Sequence, residues 1–171
     1  MSAIIQLGIQ TYFSPDDDTQ AVFLRFLQQA QTSIYIAIYG FHLPPAQDLL
    51  IAKAQAGVPV AIIMDHTQAD GKYEAPEVQH LIQGGCAVTI GSSEKHHIMH
   101  HKFAVVDDLH VLAGSWNFSQ SASLEDNFLQ ITSNTDHAAL FIAKWHEMHD
   151  WMHQYEPQWQ PRLVNPPKED V

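Results

Sequence analysis

Apolar and polar residues alternate from Ile4 to Phe13 as along a strand, and the run breaks at Ser14-Pro15-Asp16-Asp17-Asp18, whose side chains can cap a helix. Ala21, Val22, Leu24 and Leu27 follow at helical spacing. Ser33 to Tyr39 is a nearly continuous apolar run, as expected of a strand buried on both faces. Pro44-Pro45 opens a second helix that runs through Ala56 and is capped by Gly57, and Val58 to Met64 is the next strand. A polar loop is expected from Asp65 to Tyr73. A helix near Pro76 to Gln83 then ends at Gly84-Gly85, before a strand from Cys86 to Ile90.

This regular exchange of strand and helix predicts a layered sheet, parallel in its first half. The second half changes character. Lys102 to Val106 and His110 to Ala113 flank Asp107-Asp108-Leu109 at hairpin spacing, Asn127 to Thr132 is a further strand, and a long helix covers Thr135 to Tyr155. The expected fold is α/β, with a mixed, largely parallel β-sheet flanked by helices on both faces. One domain spans 1–156, followed by an irregular proline-rich tail at 157–171. In the long helix Phe141, Trp145, Met148, Met152 and Tyr155 form an apolar stripe, to be buried in the core or against a second copy of the chain.

Composition narrows the class. With 46% hydrophobic and only 16% charged residues among 171, the chain can build a core and is not of the disordered type. Its single cysteine, Cys86, lies among apolar residues and is expected to be a buried, inert thiol. No apolar run approaches the ~20 residues of a membrane span and no signal-peptide pattern precedes Ile4, so a cytoplasmic protein without stable membrane association is expected, or a periplasmic one if a leader has been removed. A formal charge of -11 argues against indiscriminate coating of nucleic acid. The exception is a local basic strip, in which Lys95 and Lys102 flank His96, His97, His100 and His101.

That strip holds the candidate chemistry. Residues two apart on a strand project from one face, so His100 and Lys102 converge while His101 points away. The next strand ends at Gly114, where a missing side chain permits a ligand to approach the backbone closely, and Ser115 and Asn117 are again two apart. An imidazole beside an ammonium, a hydroxyl and an amide can attack phosphorus and hold the non-bridging oxygens of the transition state.

The spacing His100-x-Lys102, then Asp107, then Gly114-Ser115-x-Asn117 resembles the signature of the phospholipase D superfamily, and the likeness extends from about Phe13 to the last helix. The resemblance implies a phosphodiesterase in which His100 forms a phosphohistidine and a second motif histidine protonates the leaving oxygen. Lys102, Ser115 and Asn117 would bind the phosphate, Asp107 and Gly114 would be structural, and a carboxylate beside Asn127 would orient His100. Either Asp126 or Glu125 can fill that place. Because the motif occurs once, the second histidine implies a homodimer, as in the short bacterial endonucleases that this chain is similar to.

A DNA or RNA endonuclease needing no metal and no cofactor is therefore the leading expectation. The alternatives are a phosphodiesterase acting on a cardiolipin-type phospholipid and a non-catalytic nucleic-acid-binding module. The histidines at 96, 97, 100 and 101 and those at 146, 149 and 153 lack convincing metal-ligand spacing and read as solvated faces. Trp116 can stack a base or pack, whereas Phe118 is expected to pack.

Overall fold

Strands that are apolar on both faces need cover on two sides, and the chain supplies it with helices above and below a seven-stranded sheet. The computed structural model describes residues 8–72 and 74–161. In chain order these form β1 (Ile9–Ser14), α1 (Thr19–Gln28), β2 (Ile34–Ile38), β3 (Phe41–His42), α2 (Pro44–Gln55), β4 (Val60–Asp65), α3 (His66–Ala69) and α4 (Glu74–Gln83). There follow β5 (Ala87–Gly91), β6 (Lys102–Val106), β7 (His110–Gly114), β8 (Phe118–Ser119), β9 (Asn127–Ser133) and α5 (Thr135–Tyr155), with short 3-10 turns at Ser121–Leu124 and Pro157–Trp159. The part of the N-terminal alternation before residue 8, and the tail beyond residue 161, lie outside the described residues.

The sheet order is β1-β9-β7-β6-β2-β4-β5. Ile34, Ile36 and Ile38 of β2 pack with the apolar faces of α1, α2 and α4, while Tyr35 and Ala37 pack with α5. The period-two alternation of the central strand thus sorts residues between two cores. Asp18 caps α1, accepting from the Ala21 amide at 2.9 Å, and Gly57 takes a positive φ just past the end of α2. Cys86 is buried and its thiol is pushed up to about 11 by burial, which keeps it protonated.

The mixed α/β sheet with helices on both faces agrees with the sequence reading, but its expected parallel majority does not. Among the described residues of the seven-stranded sheet only β2–β4 and β4–β5 run parallel, whereas β1–β9, β9–β7, β7–β6 and β6–β2 are antiparallel. The cause lies in residues 92–101. A parallel strand needs a crossover back to the far end of the sheet, usually a helix. This segment has none, so β6 starts at the end where β5 stopped and must run the other way.

The loop expected from Asp65 to Tyr73 is also corrected in part. Asp65 closes β4 opposite Gly91, and its carboxylate caps α3 by accepting from the Thr67 amide at 2.9 Å. A two-residue parallel pairing of β3 with β8 was not visible in the sequence and joins Phe41 to Phe118. On α5, Trp145, Met148 and Met152 are buried and Trp145 Nε1 donates to the Ile36 carbonyl at 2.8 Å, while Tyr155 is 58% exposed and leaves the stripe. Among the described residues no helix is long and apolar enough to cross a membrane.

Candidate active site

At one end of the sheet β2, β4 and β7 finish while β6 and β9 begin, and the motif residues other than Asp107 gather there. Lys102 opens β6 opposite Ile38, and the preceding segment delivers His100 beside Tyr39, the residue after β2. The exposed His100 ring stands edge-on to Tyr39 with centroids 4.6 Å apart. Lys102 is 8% exposed; its Nζ donates to the His100 carbonyl at 3.0 Å and lies 5.3 Å from the Tyr39 ring centroid. His101 turns to Phe103 on the other face.

Burial, then the Lys102 charge, lowers the pKa of His100, against an opposing pull from Asp65. The neutral, nucleophilic imidazole is favoured. Burial likewise lowers the pKa of Lys102.

Two buried carboxylates pin the segment that carries His100. Glu156, at the end of α5, accepts from the Ser92 amide at 2.7 Å and from the Ser92 hydroxyl. Asp65 is fully buried; one oxygen takes the Thr67 amide and hydroxyl, and the other takes the Met99 amide at 2.7 Å, one residue before His100. Sequence reasoning placed Asp65 in a loop and missed this role. The available signal was an Asp at a strand end with Thr two residues on, a local capping pattern.

The hairpin brings Gly114 to Asn117 alongside. A Cβ on Gly114 would stand 2.2 Å from the Phe128 carbonyl oxygen, so the close approach that demands glycine comes from β9, not from a ligand as the sequence suggested. Ser115 Oγ donates to Asn127 Oδ1 at 2.9 Å and accepts from the Phe128 amide at 3.2 Å, which ties this hydroxyl to β9. Asn117 is half-buried with its Oδ1 unpartnered. Trp116 and Phe118 are 1% and 0% exposed and meet Phe23 edge-on and tilted respectively, so both pack.

The two candidate orienting carboxylates are not brought to His100 within one chain. Glu125 Oε2 accepts from Asn127 Nδ2 at 3.2 Å, and Asp126 is exposed beside Ser115 and Asn127. Asp107 lies at the opposite end of β6. Its carboxylate accepts from the backbone amides of Gln31, Thr32 and Ser33 and from the Thr32 hydroxyl. Burial works against that charge, but these donors outweigh it and hold the carboxyl below its usual range.

Between residues 92–101 and α5 a cavity of about 160 Å³ opens beside His100, with Met99, Met148 and Trp151 in its wall and Lys144 at its rim. Among the described residues no group of three or more His, Cys, Asp or Glu side chains is placed to hold a metal ion.

A family model described as "Cardiolipin synthase, PLD-like domain" matches residues 23–151. The mitochondrial cardiolipin hydrolase of Chlamydomonas reinhardtii is 30% identical over 105 residues, covering 61% of this chain and 45% of that protein. The phospholipase D of Rickettsia prowazekii is 26% identical over 122 residues, covering 71% and 58%. The chain thus spans about half the length of these curated relatives. Among solved structures, Nuc from Salmonella typhimurium, described as a phospholipase D family member, superposes with a TM-score of 0.78 at 25% identity, covering 84% of this chain and 94% of that one.

Proposed function

The chain belongs to the phospholipase D-like family, and from that premise we propose that it is a metal-independent phosphodiesterase, an endonuclease of DNA or RNA whose site is shared by two copies of the chain. The observation that carries this reading is the pairing of an exposed His100, biased toward its neutral form, with the buried Lys102 ammonium at its own carbonyl. The His100 imidazole attacks phosphorus and the P–O bond to the leaving group breaks, giving a phosphohistidine. The leaving oxygen takes its proton from His100 of the partner subunit. Water, deprotonated by that second imidazole, then cleaves the P–N bond and restores the site.

Lys102 and the Asn117 amide clamp the phosphoryl oxygens, and Ser115 has a smaller part because its hydroxyl is already engaged. Glu125 or Asp126 orients a histidine only if the second copy brings the two together. The one-domain reading of 1–156, with the remainder as a tail, goes with this proposal. Nucleic acid is preferred over lipid because a strand needs only the local basic strip at the site, whereas hydrolysis at a bilayer requires the acidic body to adsorb on an extended anionic surface.

The phospholipid reading has its own support. The named relatives are a cardiolipin hydrolase and a phospholipase D, and Phe13 and Phe128 are exposed beside Ser115 and Asn127. The deciding experiment compares cleavage of single- and double-stranded DNA and RNA, and of cardiolipin vesicles, in excess EDTA. His100→Ala should lower nucleic-acid turnover by more than about 10³-fold. Equal activity of the two proteins overturns the proposal, faster vesicle hydrolysis moves the substrate to lipid, and tight binding without turnover or a trapped His100 adduct leaves a binding module.

A further inference from the structure

Two buried side-chain oxygens at the catalytic end of the sheet lack a hydrogen-bond partner, Glu74 Oε2 and Asn117 Oδ1. Both side chains close on Gly40, the turn between β2 and β3. A Cβ there would stand 3.7 Å from Glu74 Oε1 and 3.8 Å from Asn117 Cγ and Oδ1. Buried acceptors left unpaired are penalised, and native structures rarely keep two around one backbone position. One proton on the Glu74 carboxyl would make it a donor, and the Asn117 oxygen on the same side of Gly40 is an acceptor that lacks one.

The surroundings of Glu74 bring that proton within reach at mildly acidic pH. Burial is the largest influence and raises its pKa; the Phe41 amide lowers it, Glu77 raises it, His42 lowers it and Asp65 raises it, leaving it at about 6. His42 is itself paired with Glu77 at 2.6 Å. Nothing in the phosphoryl-transfer steps uses Glu74.

We propose that Glu74 is a positioning residue, whose protonated carboxyl donates to Asn117 Oδ1 and so turns the Asn117 amide nitrogen toward the phosphoryl group. This rests on the reading of Asn117 as a phosphate clamp.

Two measurements test it, and one is independent of turnover. In the NMR spectrum of His100→Ala, the side-chain amide signals of Asn117, assigned by their loss on adding Asn117→Ala, should shift with pH around the Glu74 ionisation near 6. The shift should vanish in Glu74→Gln. Signals that ignore pH, or that titrate unchanged in Glu74→Gln, overturn the proposal even if no substrate is ever found. In kinetics, Glu74→Ala should lower kcat by about 10–100-fold, Glu74→Gln should recover to within about 3-fold through its amide donor, and Glu74→Ala should add nothing to Asn117→Ala. Additive losses with unchanged melting temperatures mean that Glu74 acts elsewhere. A wild type inert toward every phosphodiester defeats the proposed function, whereas the amide titration still decides the role of Glu74.

Discussion

His100 and Asp107 stand at opposite ends of one strand and are biased toward opposite charge states. Around Asp107 the amides of residues 31–33 reward the anion, so its carboxyl titrates below its usual range. The stability it confers is present above the unfolded pKa of about 3.9 and is lost as pH falls through the folded value. Asn tolerates the positive φ of this position but carries no charge. Asp107→Asn should therefore unfold about 1 kcal/mol more easily at pH 7, with the gap closing below about pH 4, as read by urea denaturation at both pH values. A gap independent of pH would sink that account. Period-two spacing on one strand was enough to place His100 and Lys102 together. It could not find Asp65 or Glu74, because the groups near them, the Met99 amide and the Asn117 carboxamide, are tens of residues away in sequence and come close only in the folded chain.

Between elements, Gly114 sets how closely β7 and β9 approach. Its added Cβ would meet the Phe128 carbonyl at 2.2 Å and Leu129 Cα at 2.9 Å, and backbone cannot swing aside as a side chain can. Gly114→Ala should destabilise the fold by about 3 kcal/mol, measured as a lower urea midpoint at unchanged slope, and should separate Ser115 from Asn127. A neutral substitution would mean that β9 yields. The helices were legible because periodicity, Asp18, Pro44-Pro45 and Gly57 all mark them locally. Strand direction was not, since it depends on whether the chain returns to the far end of the sheet before the next strand. Residues 92–101 stay at one end, held by Glu156 and Asp65.

For the whole molecule, the single histidine motif ties function to assembly. If a working site needs His100 from both copies, an equal mixture of wild type and His100→Ala, equilibrated through dissociation, should retain about a quarter of the activity instead of half. Sedimentation of a fully active monomer would refute sharing. The sheet order carries one more consequence, for biosynthesis. Strand β6 slots in beside β2, so the hydrogen-bonding edge of Ile34–Ile38 waits for residues 102–106 to be translated. On the ribosome, an apolar central strand of the nascent chain remains half-paired for on the order of several seconds, during which its open edge can pair with another chain.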